Sequence, residues 1–146
     1  MMKFSHIVIV FITFFASAGM AVSQTSSGTQ EYGDGGAYEG EFLNGLPHGN
    51  GTYELPNGYR YVGEWFEGEI NGQGEALFPN GSVYIGSFVK GKPEGSGKIT
   101  FTDGGTYEGE WANGSITGEG YAKYANGTTY QGCLLYTSDA ADETTG

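Results

Sequence analysis

Positive charge is scarce in this chain: 6 Lys and Arg stand against 17 Asp and Glu in 146 residues, a formal net charge of −11. Nucleic-acid binding needs clustered cations to displace the counterions of the phosphates, so it is excluded. The same balance makes binding to anionic membranes an unfavoured function, because such headgroups are held by polybasic patches. Lys90, Lys92 and Lys98 form the one cationic cluster and read as solvated loop charges. Cysteine is almost missing. The single Cys133 cannot form an intrachain disulfide and offers no thiolate pair to a metal. Histidine is nearly as rare: His48 is the only one beyond the N-terminal segment, its expected place is a turn, and no G-x-S-x-G elbow accompanies it. No catalytic residue, cofactor or metal site is therefore expected, and the chain reads as a non-enzyme.

Glycine and aromatics, by contrast, are plentiful, with 28 Gly, 11 Tyr, 9 Phe and 2 Trp, and they are periodic. Tyr38-Glu39-Gly40-Glu41-Phe42 returns as Tyr61-Val62-Gly63-Glu64-Trp65, as Tyr84-Ile85-Gly86-Ser87-Phe88 and as Tyr107-Glu108-Gly109-Glu110-Trp111. Counted from the leading Tyr, Gly stands at +2, +7, +11, +13 and +20 of every unit and an aromatic at +4. A fixed period of this length marks an array in which each unit is one supersecondary element buried by its neighbours.

Positions 0, +2 and +4 have strand parity, so Tyr, Gly and the second aromatic share one face while +1 and +3, often Glu, point to the other. Gly at +13 followed by mostly apolar residues at +15 and +17, as in Ile99 with Phe101, predicts a second short strand. Asn44-Gly45 and Asn113-Gly114 are turn signals inside units; Pro56-Asn57-Gly58 and Pro79-Asn80-Gly81 are turn signals between them. Each unit thus reads as a β-hairpin. Gly40, Gly63, Gly86 and Gly109 read as structural glycines that leave floor space for rings, not as phosphate cradles, because no helix signal follows them. Glu41, Glu64 and Glu110 share +3 and suggest a carboxylate ladder, interrupted by Ser87. Equivalent rungs lie two strands apart, about 9 to 10 Å, which is too far for one calcium ion to bridge.

These residues resemble MORN (membrane occupation and recognition nexus) repeats, whose pattern of Y-x-G-x-aromatic, then G-x-x-x-G-x-G, then N-G is matched by units starting at 38, 61, 84 and 107 and by a truncated fifth at 130. The resemblance implies an all-β fold: an elongated, largely single-layer antiparallel sheet of consecutive 23-residue hairpins. It also implies use in protein association, self-association and lipid contact. Tyr38, Phe42, Tyr61, Trp65, Tyr84, Phe88, Tyr107 and Trp111 are the candidate binding or packing aromatics.

The two ends differ from the array. Residues 1–24 have the layout of a secretory signal, with Lys3, an apolar run from Ile7 to Phe15 that is shorter than the roughly 20 residues needed to span a bilayer, and small residues at Ala16-Ser17-Ala18 and Ala21-Val22-Ser23. A secreted or periplasmic location is expected. Residues 25–37 form a lead-in, with Gly28, Tyr32, Asp34 and Gly35 fitting a half repeat, and the array runs over 38–132. After Gly132 the period fails, and Cys133 to Glu143 resemble the in-frame translation of a transposase adapter used for sequencing libraries, so 133–146 is set aside from fold reasoning. The expected function is an exported, non-catalytic scaffold for protein–protein interaction. The alternatives are a targeting or accessory module of a larger exported enzyme truncated after residue 132, and a cell-envelope glycan or lipid-surface binding module. Open sheet edges would permit self-association.

Overall fold

A computed structural model describes residues 23–133; the leader and the segment beyond Cys133 lie outside the described residues. Ten strands follow one another: β1 (Thr25–Glu31), β2 (Ala37–Leu43), β3 (Leu46–Glu54), β4 (Arg60–Phe66), β5 (Glu69–Leu77), β6 (Val83–Val89), β7 (Lys92–Thr100), β8 (Thr106–Ala112), β9 (Ser115–Lys123) and β10 (Thr129–Cys133). They form one open antiparallel sheet in chain order, and no helix occurs among the described residues. The expected architecture of consecutive hairpins is what the chain adopts.

Each hairpin closes on a two-residue turn whose residues both have positive φ, as at Asn44 (50°) and Gly45 (82°), the twist-matched type I′ geometry. The links between hairpins are built on Asn or Asp: Asn57 Oδ1 accepts the Tyr59 N–H at 2.9 Å while the Leu55 N–H donates to the Tyr59 carbonyl at 2.9 Å. The same Asx bond returns at Asp34, Asn80, Asp103 and Asn126. Neighbouring hairpins also interlock at their tips, where the Gly68, Gly91 and Gly114 N–H groups donate to the carbonyls of Pro47, Ile70 and Pro93.

A β-bulge interrupts every hairpin. Gly40 pairs with Gly51 but Phe42 pairs with Pro47, so Glu41 faces the three residues His48, Gly49 and Asn50, with Gly49 at φ 71°. The shift recurs between Gly63 and Trp65, Gly86 and Phe88, and Gly109 and Trp111. His48 corrects an expectation: it lies in strand β3 at the bulge, not in a turn, because the extra residues of the bulge lengthen the second strand beyond the Asn-Gly turn.

The core is a strip on one face. Tyr38, Tyr61, Tyr84 and Tyr107 are at most 2% exposed, and Trp65, Phe88, Trp111, Ile70 and Ile99 are buried beside them. The described residues form a single sheet with no second layer over this strip, so the core is made by rings and aliphatic side chains that lie along the sheet itself.

Candidate functional site

Each leading Tyr lies over the +13 Gly of the partner strand, its ring in contact with the backbone where any Cβ would stand. The strand glycines therefore hold open the space in which the ring lies. The Tyr38 hydroxyl donates to the Glu41 carbonyl at 2.7 Å, and Tyr61, Tyr84 and Tyr107 bond the +3 carbonyls of their own units at 2.9, 3.0 and 3.2 Å. That carbonyl belongs to the bulge, where the sheet ladder is interrupted, so the hydroxyl supplies the missing partner. On the opposite face the +3 carboxylate completes the repair: Glu41 Oε2 accepts the Asn50 N–H at 2.7 Å, and Glu64 Oε2 accepts the Gln73 N–H. The expected Glu ladder is thus tied to the backbone in the first two units. Desolvation raises the Tyr pKa values: burial, with the Glu41 carboxylate adding to it, pushes Tyr38 up to about 12, and burial pushes Tyr84 up to about 12. Tyr61 and Tyr107 shift the same way, mainly through burial.

The eight aromatics singled out from the sequence form one continuous edge-to-face chain. It runs Phe42 to Tyr38 (5.1 Å between centroids), Tyr38 to Trp65 (4.8 Å), Trp65 to Tyr61 (5.8 Å), Tyr61 to Phe88 (5.0 Å), Phe88 to Tyr84 (5.0 Å), Tyr84 to Trp111 (5.0 Å) and Trp111 to Tyr107 (5.6 Å). Trp65 and Trp111 also donate their indole N–H to the carbonyls of Gly51 and Gly97 at 3.3 and 3.2 Å. The geometry packs these rings inward, each at a separation favourable for aromatic pairs.

A second ring row is only partly covered. Tyr32 meets Tyr53 at 5.7 Å, Tyr53 meets Tyr59 at 6.5 Å and Tyr59 meets Phe78 at 6.0 Å, along the inter-unit links. Tyr32, Tyr53 and Trp65, with Glu69, Ile70 and Lys90, line an open cleft of about 260 Å³ on this side. Phe78 stands at +17, where rings are expected and the third and fourth units carry Phe101 and Tyr124, whereas Tyr59 could not be read from the period because Gly36, Ser82 and Gly105 stand at its position in other units. A wider cleft of about 440 Å³ runs along the bulges between His48, Asn50, Glu64, Phe66 and Asn71. There the His48 ring meets Phe66 at 5.2 Å in a tilted contact and its Nδ1 accepts the Glu67 N–H at 3.4 Å. Among the described residues no three His, Cys, Asp or Glu side chains gather as metal ligands would, and Cys133 is exposed at the end of β10.

A family model described as MORN repeat matches residues 38–58, 61–83, 84–106 and 107–129. No curated protein matches the chain. Among solved structures, the chain is similar to the TCP domain of Drosophila melanogaster SAS-4 (dCPAP), solved in complex with a proline-rich motif of Ana2 (dSTIL). That similarity has 15% identity and a TM-score of 0.38, over 73% of this chain and 71% of the other.

Proposed function

The chain belongs to the MORN repeat family, and from that membership we propose that it is an exported, non-catalytic scaffold for protein association. The observation that carries the reading is the half-covered ring row Tyr32, Tyr53, Tyr59 and Phe78, which extends the buried ladder out to solvent beside an open cleft. Aromatic rings held in place by a rigid sheet lose little entropy on contact, which is why they anchor protein interfaces. The acidic balance of the chain favours a protein over an anionic headgroup as the ligand. Export rests on the N-terminal residues: Lys3, the apolar run Ile7–Phe15 and the small residues up to Ser23.

Two measurements test this reading. N-terminal sequencing of the protein recovered outside the cytoplasm is expected to begin after Ala18, Ala21 or Ser23, and recovery of the chain only from the cytoplasm refutes export. A photo-crosslinking residue placed at Lys90, exposed on the rim of the cleft, is expected to capture a discrete protein in the native host. Tyr59→Ser with Phe78→Ser should abolish that capture while the strand signal in circular dichroism is kept. Capture that survives both changes refutes the ring row as the anchor.

A further inference from the structure

Seven Asn-Gly pairs stand in the chain, at 44–45, 50–51, 57–58, 71–72, 80–81, 113–114 and 126–127. This dipeptide has a reactivity of its own: the glycine nitrogen attacks the Asn side-chain carbonyl and closes a five-membered succinimide, a step that glycine favours because no Cβ blocks the close approach. Closure needs the glycine N–H free to give up its proton, and open space around it. In the links between hairpins the first condition fails, because the Gly58, Gly81 and Gly127 N–H groups donate to the carbonyls of Leu55, Phe78 and Tyr124 at 3.1, 2.8 and 2.9 Å. It fails again at the hairpin tip Asn113-Gly114, where the Gly114 N–H donates to the Pro93 carbonyl at 2.9 Å. Asn50-Gly51 and Asn71-Gly72 lie inside β3 and β5, and the space beside their glycines is filled by the Tyr38 ring and the Glu64 carboxylate. Asn44-Gly45 alone meets both conditions. Both residues are exposed, the Gly45 N–H donates to no backbone carbonyl among the described residues, and apart from its chain neighbours no atom lies within 4 Å of where a Gly45 Cβ would stand.

The exception follows from the place of this turn in the array. Gly68, Gly91 and Gly114 each donate to a carbonyl of the preceding hairpin, and the equivalent carbonyl for Gly45 is that of Gln24, which instead accepts the Asn44 N–H at 3.3 Å. Only the single strand β1 precedes the first hairpin among the described residues, so the tip-to-tip lock of the later units is not completed there. We infer that Asn44 is a site of self-modification, which closes on Gly45 to a succinimide, opens as isoaspartate and thereby loosens the first hairpin. The Gly45 nitrogen bonds to Asn44 Cγ and loses its proton, the Cγ–Nδ2 bond breaks, and Nδ2 leaves as ammonia. Water then opens the ring. Breaking the ring bond to Cγ gives aspartate; breaking the bond to the main-chain carbonyl carbon gives isoaspartate, in which the backbone runs through Cβ and Cγ. No oxidant or reductant is needed. The two-residue turn, with Asn44 at φ 50° and Gly45 at φ 82°, has no place for an added backbone atom, and the Asn44 N–H that holds the start of β1 belongs to the same turn. Nothing in this step depends on the protein-scaffold reading.

The test is peptide-mapping mass spectrometry of the purified whole chain, held folded in mildly alkaline heavy-oxygen water, with electron-transfer fragmentation to tell aspartate from isoaspartate. Asn44 is expected to convert first, faster than Asn113 by about fivefold, the ratio that one net hydrogen bond on the glycine N–H gives. Isoaspartate should accompany aspartate in the product, each carrying one heavy oxygen, and the amides of β1 should exchange faster in the converted fraction. The second arm repeats the incubation in urea, where all seven sites should convert at comparable rates because only the shared dipeptide remains. Gly45→Ala is the third arm and should halt conversion at Asn44 with the strand signal in circular dichroism kept, since the added Cβ enters open space. If that variant loses the strand signal, the urea comparison on the unaltered chain decides. Conversion of Asn113 or of a link Asn as fast as Asn44 in the folded chain overturns the inference. So does a ranking that survives urea, which would assign the difference to neighbouring sequence and not to the fold. Aspartate without isoaspartate would mean direct hydrolysis of the side chain with no ring, and unchanged exchange in β1 would mean a turn indifferent to the change; either result also overturns it.

Discussion

Replacing Gly74 by Ala adds one methyl group to a strand, and the structure says the loss should be far larger than glycine's usual preference. Gly74 pairs with Gly63 in regular antiparallel register, so the new side chain meets no backbone penalty. Its Cβ would stand 2.6 Å from Tyr61 Cζ, with the hydroxyl and an edge carbon nearer still. Tyr61, fully buried, must lift from the sheet. Overpacking of this kind costs about 1–3 kcal/mol. The hydroxyl bond to the Glu64 carbonyl contributes about 1 kcal/mol more, and the ring pairs to Trp65 and Phe88 about 0.5–1.5 kcal/mol each. Since these terms overlap, a loss of about 3–4 kcal/mol is expected. Gly58→Ala is the comparison: φ is 94° and nothing lies within 4 Å of the added Cβ, so only the left-handed backbone term of about 1 kcal/mol applies. Urea unfolding of the whole chain, fitted with nearest-neighbour coupling, measures both. Repeating Gly74→Ala in a Tyr61→Leu background should reduce its cost below about 1 kcal/mol. Equal costs at Gly58 and Gly74, or an undiminished cost without the Tyr, would refute the claim that the ring requires the glycine.

Further outcomes follow from the same geometry. Glu67 (φ 48°) and Lys90 (φ 48°) occupy the left-handed position that Asn44 and Asn113 fill elsewhere, so Glu67→Asn and Lys90→Asn should each stabilise by about 0.5–1 kcal/mol in thermal melts. Glu64→Ala removes the acceptor of the Gln73 N–H and should lower stability by about 1 kcal/mol by urea titration, since water replaces the bond only in part. Tyr38 and Tyr84 have folded pKa values of about 12 against an ordinary 10.0, so their contribution is complete below pH 10 and is lost as pH rises toward 12. Tyrosinate absorbance followed during alkaline titration should therefore rise together with loss of the strand signal, whereas titration of all tyrosines near pH 10 in a folded sheet would contradict their burial.

Much of this was legible because the period and the strand parity act together. Once Tyr, Gly and the aromatic fall on 0, +2 and +4, the shared face follows, and the turn residues place the hairpins. The bulge was not legible. Its two marks, Glu at +3 and Gly at +11, look like a surface charge and a loop glycine until the register shows the Glu41 carboxylate seated on the Asn50 N–H and Gly49 beside it. His48 was misplaced for the same reason. The inner ring ladder could be anticipated residue by residue, and so could Tyr32, Tyr53 and Phe78 of the half-covered row from +15 and +17, but Tyr59 could not: it stands at a position that is Gly36, Ser82 and Gly105 elsewhere, and its contact with Phe78 depends on the packing of consecutive units.

This asymmetry indicates where in the array information about function resides. On the ring face each unit must present the same Tyr, Gly and aromatic, because every ring packs on its neighbour and fills the space above a specific glycine; a departure there breaks the core, as Gly74→Ala is expected to. Regularity on that face is consequently explained by packing alone. The outer face is under no such constraint beyond the capping carboxylate at +3, so departures from the period there call for a separate cause. Val62, Ile85, Leu77 and Val89 are exposed apolar residues on a face where units one and four carry Glu39 and Glu108, and Ser87 omits a capping residue the fold otherwise uses. Stability of the isolated sheet would be better served by Glu at 87 and by polar groups around it. Their replacement is accounted for if that face is covered in the working protein, which ties the apolar strand and the missing carboxylate to one cause.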